Sequence, residues 1–507
     1  MKLSQICQEV EYQCLKGSMD TEVRDIIYDS RKIAKETMFV CMVGAVTDGH
    51  KYIPDAIEKG ASVIVVEREE EAAQIPDEIT VLQVKSTRLA LALMSAALFD
   101  YPARKLITIG LTGTKGKTTT TYMIKSVLEM AGKKVGLIGT IGAVIGDEKI
   151  PSKNTTPESY ELHRMFAAMV EAGCEYVVME VSSQGLKMDR TAGIEFDYGV
   201  FTNLSPDHIG PAEHESFEEY LYCKSLLFRQ CKKGIVNADD EHSEAILKDH
   251  TCEVYSFATV DEMTAFVSEK RFLGKEVDLL ASEIGFIKEN GKLGMDFNVT
   301  GVMECEAKVH IPGRFSVYNS LVTMLVCHLA GIDNQAILEG LEKVQVKGRV
   351  EMLSVSKDYY LIIDYAHNEV STRSVLTTLL EYHPKRLICV YGGGGNRSKL
   401  RRYDMGEVTG EMADLCVLTC DNPRDEEIRD INNDIKIGLA KSDGKYIEID
   451  DRKEAIAYCI TNAKPGDMIV LLGKGHENYQ EIKGVKYHFD EREAVAEILD
   501  EIKEGKR

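Results

Sequence analysis

Leu106-Ile107-Thr108-Ile109-Gly110-Leu111-Thr112-Gly113-Thr114-Lys115-Gly116-Lys117-Thr118-Thr119 decides the architecture of this chain. An apolar run enters a glycine-rich turn. Beyond it Met123, Ile124, Val127, Leu128 and Ala131 recur at helical spacing until Gly132. Strand, glycine loop and helix in that order let backbone N–H groups cradle phosphate, while a lysine reaches the β and γ oxygens and a threonine hydroxyl meets Mg²⁺. The spacing departs from the usual GxxxxGK[ST], because Leu111 stands at the first glycine position. A turn that merely starts a helix would need neither the strand before it nor the Lys117-Thr118-Thr119 opening after it.

Working outward, 135–138 supplies a second buried strand, so the region reads as a βαβ unit of a parallel sheet. The run 176–179 repeats the strand signal and ends on Glu180. The first hundred residues place the short apolar runs 63–66 and 81–84 between helical stretches, closed by a helix over about 87–99 and the Tyr101-Pro102 step. The stretch 254–300 alternates like antiparallel strands. After Val346-Lys347-Gly348-Arg349 the strand–loop–helix rhythm resumes. Three apolar strands run into Gly392 to Gly395, into Asp421-Asn422-Pro423-Arg424 and into Gly473-Lys474-Gly475-His476-Glu477. Loops at the carboxyl ends of strands form the ligand crevice of doubly wound sheets, so these three should meet in space. The expected fold is α/β with three domains: 1–104, a small α/β unit; 105–346, a parallel-sheet domain carrying the phosphate loop; and 347–507, a Rossmann-like domain.

Composition bounds the functions. A chain of 507 residues exceeds one core, and 44% hydrophobic with 28% charged residues describes an ordinary globular protein. With 61 basic against 82 acidic residues the net charge is −21, a field that repels nucleic acid and anionic membrane. An anionic substrate needs a local cation cluster, for which Arg397-Ser398-Lys399-Leu400-Arg401-Arg402 is a candidate. Thirteen scattered cysteines, an odd count, read as reduced structural thiols. Neither a signal segment nor a run approaching the ~18 apolar residues of a membrane span is present, which points to the cytoplasm without membrane insertion.

Two further places carry chemistry. Glu180 ends a buried strand and Asp207-His208 follows the apolar run 200–204; a carboxylate and a neutral imidazole in one crevice can hold a divalent metal. Lys224 is a single lysine on a mostly apolar helix, which residue chemistry alone reads as a snorkelling surface side chain.

Together, Gly113-Thr114-Lys115-Gly116-Lys117-Thr118-Thr119, Thr155-Thr156-Pro157-Glu158, Met179-Glu180-Val181-Ser182-Ser183, Phe201-Thr202-Asn203-Leu204 with Asp207-His208, and Pro312-Gly313-Arg314-Phe315 with Tyr318-Asn319 resemble the Mur ligases. Asp364-Tyr365-Ala366-His367, Asp421-Asn422-Pro423-Arg424 and Gly473-Lys474-Gly475-His476-Glu477 narrow the likeness to the branch that makes UDP-N-acetylmuramoyl-tripeptides. The resemblance implies an ADP-forming ligase. It would transfer the γ-phosphate of ATP to a carboxylate of UDP-N-acetylmuramoyl-L-alanyl-D-glutamate and let an incoming diamino acid displace phosphate, in peptidoglycan precursor synthesis.

By the same resemblance Gly113, Thr114, Lys115, Gly116, Lys117, Thr118 and Thr119 hold ATP, with Asn319, Arg349 and Asp364 near the nucleotide. Thr118, Glu180 and His208 serve Mg²⁺, and Lys117, Glu180, His208 and Lys224 are the catalytic set, Lys224 as a carbamate (N6-carboxylysine). Ser30, the segment 44–47, Thr155, Thr156, Ser182 and Arg190 align with contacts to the UDP-muramyl-dipeptide. Arg397, Asp421, Asn422, Pro423, Arg424, Gly473 and Glu477 align with the amino-acid pocket. The arginine of Asp-Asn-Pro-Arg suits a second carboxylate, because its planar fork pairs bidentately, and favours meso-diaminopimelate over L-lysine. A monomer is implied.

The sequence departs from the family at Met188, at Asn368-Glu369, at 394–399 and at 209–214. The alternatives are the same ligation with L-lysine or another amino acid, a folylpolyglutamate- or cyanophycin-type ligase, and a nucleotide switch that ligates nothing.

Overall fold

The computed structural model describes the whole chain except residues 45–46, 147, 208, 211–212, 261–269 and 290. It forms two compact units, one built on Met1–Ala258 and one built mainly on Leu280–Leu321 and Leu338–Arg507.

The first unit holds two sheets. In the smaller one Asp25–Ile27, Thr37–Val40, Val63–Val66 and Thr80–Gln83 run parallel, and Gln13–Lys16 closes the edge antiparallel. Its strands read as continuous apolar runs because both faces are buried. Met38, Val40, Val63 and Val65 face one core with Leu91 and Met94 of the helix Thr87–Leu98, while Phe39, Ile64 and Val66 face another with Ile53 and Ala56.

In the larger sheet Glu253–Thr259, Cys231–Asn237, Phe196–Phe201, Ile107–Thr112, Tyr176–Glu180 and Val135–Gly139 lie side by side and parallel. The hairpin strands Gly142–Ile145 and Glu148–Ile150 follow antiparallel. The βαβ reading holds in its parallel strands, with one detail that it did not specify. The strands flanking the glycine loop are both parallel but not neighbours: Tyr176–Glu180 inserts between them, with Val178 opposite Ile109 on one side and Leu137 on the other. The crossover through the helix Lys117–Met130 skips one position, which leaves room for the later strand and sets its terminal carboxylate beside the loop. One expectation changes, for 254–300: its first strand, Glu253–Thr259, joins the parallel sheet beside Cys231–Asn237, so alternation along the sequence did not fix the direction of its partner. Antiparallel pairing begins in Leu279–Glu289, Lys292–Gly301 and Cys305–Val309, where Met295 opposes Val309.

The second unit ends in a six-stranded sheet ordered Glu351–Leu353, Tyr360–Asp364, Asp467–Leu472, Arg386–Tyr391, Leu415–Leu418, Tyr446–Glu448, parallel except for its first strand. The helices Lys399–Met412 and Ile428–Leu439 cross at a glycine contact: a methyl at Gly438 would stand 1.9 Å from the Tyr403 carbonyl oxygen. All thirteen cysteines are free, as their scatter implied. Among the described residues no helix is long and apolar enough to cross a membrane.

Gly438→Ala should cost about 1–3 kcal/mol of stability, because two helix backbones must part to admit one methyl. Denaturant unfolding would show it as a lowered midpoint, and an unchanged midpoint would contradict the close packing.

Candidate active site

Gly113 has φ 145°, and a β-carbon there would lie 2.1 Å from Thr202 Oγ1, so the loop admits only glycine at that position. The segment after the neighbouring strand Phe196–Phe201 holds the loop open. Thr114 N donates to the Asn203 carbonyl at 2.8 Å, Lys115 N to Asn203 Oδ1 at 2.9 Å, and Asn203 Nδ2 and Thr202 Oγ1 donate back to the Lys115 carbonyl at 3.1 and 2.8 Å. Asn203 and Thr202 were legible as a motif, but their work as staples was not.

Glu180 is buried, and three donors converge on its carboxylate: Thr118 Oγ1 at 3.0 Å, Thr140 N at 3.0 Å and Thr140 Oγ1 at 3.2 Å. A methyl on Gly139 would stand 2.3 Å from Glu180 Oε1, so the strand end is shaped around this side chain. Hydroxyl and carboxylate oxygens at a helix start form the hard donor set that Mg²⁺ prefers, and Mg²⁺ uses few protein ligands beside phosphate and water. The residues present therefore fit that ion, with Thr118 and Glu180 as the ones that would hold it. The remaining expected ligand, His208, lies outside the described residues.

Lys117 Nζ donates to the carbonyls of Gly113 and Thr114 at 2.7 and 3.1 Å. Lys224 Nζ reaches the same Gly113 carbonyl at 2.8 Å, so two lysine nitrogens converge on one oxygen. Contrary to the surface reading, Lys224 is only 2% exposed, with Nζ 4.4 Å from the centre of the Tyr220 ring. The helix Phe217–Ser225 turns its lysine inward on the face of Tyr220, which stands four residues earlier and belongs to the core. Burial pushes the Lys224 ammonium well below its ordinary range, and the charge of Lys117 adds to the effect.

Around the end of Tyr176–Glu180 the structure gathers four of the residues aligned with the muramyl-peptide. Thr156 Oγ1 donates to the Glu180 carbonyl at 3.0 Å and accepts from Ser182 N at 2.9 Å. Arg190 donates to the Thr156 carbonyl at 3.1 Å and pairs with Glu158 at 2.7 Å, and Thr155 Oγ1 lies 3.1 Å from Thr140 Oγ1. His214, in the departing stretch 209–214, is buried with Nε2 2.9 Å from Ser183 Oγ. Ser30 stands elsewhere, in the turn Ser30–Lys32 of the first sheet's domain, where its carbonyl accepts from Lys59. Of the segment 44–47, residues 45–46 lie outside the described residues.

Asn319, Arg349 and Asp364 belong to the second unit. Asn319 is buried on the helix Phe315–Leu329. Asp364 is buried and accepts from Val350 N and Ala366 N, each at 2.7 Å; burial raises its carboxyl above the ordinary value, with Arg349 opposing the shift. In the last sheet the three strand-end loops do meet: Arg424 Nη1 donates to the Gly395 carbonyl at 2.7 Å, and Asn422 Nδ2 to Glu477 Oε2 at 2.9 Å. Asp421 is buried beneath Gly473, where a methyl would stand 2.3 Å from Asp421 Oδ2, and the Pro423 carbonyl packs against Gly395. Arg397 is exposed. The basic run is a weaker anion site than its composition suggested. Arg402 is buried between Glu426 at 2.7 Å and Asp434 at 2.9 Å, and Lys399 pairs with Asp434 at 3.5 Å. Those cations fix the helix to its neighbours.

The Mur ligase family, catalytic domain, matches residues 22–99; the Mur ligase middle domain matches 111–327; and the Mur ligase, glutamate ligase domain, matches 348–475. A Clostridium tetani protein named UDP-N-acetylmuramoyl-L-alanyl-D-glutamate–2,6-diaminopimelate ligase is 43% identical over 505 residues, covering 99% of this chain and 100% of that protein. The chain belongs to the Mur ligase family. A Clostridium perfringens protein of the same name is 42% identical to this Mur ligase over 502 residues, covering 99% and 100% of the two chains. A solved structure of a protein with that name superimposes with a TM-score of 0.72 at 25% identity, covering 99% of each chain. Its three domains are those of the family, and Mur ligases are ATP-dependent.

Lys117→Met should weaken nucleotide binding by about 2 kcal/mol, the worth of a charged donor to phosphate, while the melting temperature stays within about 2 °C. Calorimetric titration with ATP would check it; equal affinities would remove Lys117 from the phosphate site.

Proposed function

We propose that this Mur ligase adds a diamino acid, meso-diaminopimelate in preference to L-lysine, to UDP-N-acetylmuramoyl-L-alanyl-D-glutamate, with ATP becoming ADP. The observation that carries the reading is the meeting of a glycine loop, a buried Glu180 and a depressed Lys224 at the carboxyl ends of adjacent inner strands, in a chain whose other strand-end loops gather Asn422, Arg424 and Glu477. The proposed domains are 1–104 for the UDP-muramyl substrate, 105–346 for ATP and 347–507 for the amino acid. Cytoplasmic action as a monomer belongs to the same proposal.

In this reading the loop N–H groups and Lys117 hold the triphosphate, with Asn319, Arg349 and Asp364 on the nucleotide. Mg²⁺ bound by Thr118 and Glu180, with His208 as a third ligand, would neutralise charge on the β and γ phosphates. Thr155, Thr156, Ser182 and Arg190 orient the dipeptide so that its carboxylate oxygen attacks the γ-phosphorus; the bond to the β–γ bridging oxygen breaks and ADP leaves. The neutral amine of the diamino acid then adds to the acyl carbon, and phosphate departs as the amide forms. Ser30 receives the UDP end.

Lys224 supports a carbamate by its surroundings. Burial favours the neutral amine of Lys224, whose lone pair can add to the carbon of CO₂; the nitrogen then gives a proton to solvent, and the neutral amine becomes an anionic carbamate facing Lys117. Arg424 uses Nε on Glu481 at 3.2 Å and Nη1 on Gly395, two of the five donors of a guanidinium, so its fork retains capacity for a carboxylate.

Phosphate release should require the UDP-muramyl-dipeptide and the diamino acid together, and a folate acceptor should not replace the former. Release that ignores both would sink the ligase reading. Lys224→Ala should lower kcat by roughly 100-fold or more, with partial rescue by short carboxylates, on the scale of losing a positioned catalytic group; unchanged activity rejects the carbamate. Arg424→Ala should erase the preference for meso-diaminopimelate over L-lysine by about 1.5–3 kcal/mol, measured as the ratio of kcat/KM values for the two amines.

A further inference from the structure

Lys474 is fully buried in the last sheet's domain, and none of the roles drawn above uses it. Lysine is almost never wholly buried unless paired, and the partners here are the amino-acid loops themselves. Its Nζ donates to Asn422 Oδ1 at 3.0 Å and to Glu477 Oε2 at 3.3 Å, and stands 3.7 Å from Asp421 Oδ1. Behind it the buried pair Arg452 and Glu491, 2.7 Å apart, ties to the carbonyls of Cys420 and Leu472 at the roots of the same two loops.

This ammonium decides which way Asn422 faces. Oδ1 meets two groups that can only donate, Lys474 Nζ and, at 2.9 Å, Glu481 N, so the amide cannot be reversed. Nδ2 therefore points to Glu477 Oε2 at 2.9 Å and keeps its second hydrogen. Glu477 has Oε2 committed to Lys474 and Asn422, which leaves Oε1 as an acceptor. The cluster counts two cations, Lys474 and Arg452, against three carboxylates, Asp421, Glu477 and Glu491, so one negative charge is unmatched. A spare N–H, a spare carboxylate oxygen and the Arg424 fork on one loop set match a carbon bearing both an ammonium and a carboxylate.

We propose that Lys474 is the positioning residue of the amino-acid pocket: it orients Asn422 and Glu477 to receive the zwitterionic end of the incoming amino acid. The inference rests on the pocket assignment made above. Lys474 touches no substrate and acts through its neighbours.

The test compares wild-type enzyme with Lys474→Met and Lys474→Gln, using ATP, UDP-muramyl-dipeptide and meso-diaminopimelate, each varied in turn. Wild-type turnover that depends on all three validates the pocket reading before any variant is judged; its failure condemns that reading and not the Lys474 argument alone. KM for meso-diaminopimelate should rise by roughly 30-fold or more in Lys474→Met, as when one partner of a buried charge pair is removed, and by less in Lys474→Gln, which keeps a donor toward Asn422. KM for ATP and for the muramyl substrate should stay within about twofold. An unaltered amino-acid KM, or equal losses for all three substrates, overturns the proposal. Failure of both variants to fold would assign the ammonium to stability and overturn it as well.

Discussion

The buried carboxylate of Glu180 is the constraint on which the catalytic half of the molecule depends. A carboxylate taken out of water is costly unless donors surround it, and here the donors are the first threonine of the phosphate-loop helix and the backbone and hydroxyl of Thr140. Two chain segments far from it in sequence are therefore fixed to one side chain. Its own backbone carbonyl holds Thr156, which in turn accepts from Ser182, so the groups aligned with the muramyl substrate take their places from the same strand end.

Cations are arranged by a related logic. Lys117 rests on the loop's own carbonyls, so phosphate would take over an ammonium already aimed inward. Lys224 shares the Gly113 carbonyl, and burial, with the charge of Lys117 beside it, disfavours its ammonium form. In the last domain Lys474 and Arg452 are buried and paired among the carboxylates of Asp421, Glu477 and Glu491. One set of strand-end loops thus gathers lysine nitrogens while another gathers carboxylate oxygens.

Local periodicity made the strand, glycine loop and helix at 107–130 legible, and it also exposed the three loops that converge in the last sheet, because each feature is carried by a continuous run of residues. What escaped was set by tertiary neighbours. Nothing local states that Tyr176–Glu180 slides between two strands earlier in sequence, or that Glu253–Thr259 finds a parallel partner. Lys224 looked like a surface residue because a lone lysine on a mostly apolar helix usually snorkels, whereas here Tyr220 and the Gly113 carbonyl meet its ammonium inside the structure. Arg402 sat within a basic run, yet Glu426 and Asp434 arrive from 24 and 32 residues away to consume its charge. The family resemblance supplied roles for such residues; the geometry supplies reasons for Glu180 and Lys224, while His208 lies outside the described residues.

The smaller and larger sheets of the first unit are joined through the helix Ser159–Glu171, where Tyr28 donates to Glu161 at 2.6 Å and Tyr160 donates to Asp25 at 2.8 Å. Burial raises both phenols above their ordinary range, so they remain neutral donors. A joint made of neutral hydroxyls on carboxylates is screened by salt far less than one made of opposed charges. These two contacts should therefore hold across wide changes of ionic strength, even though the chain carries a large net negative charge. Added salt would flatten the long-range field of the protein well before it loosened this joint.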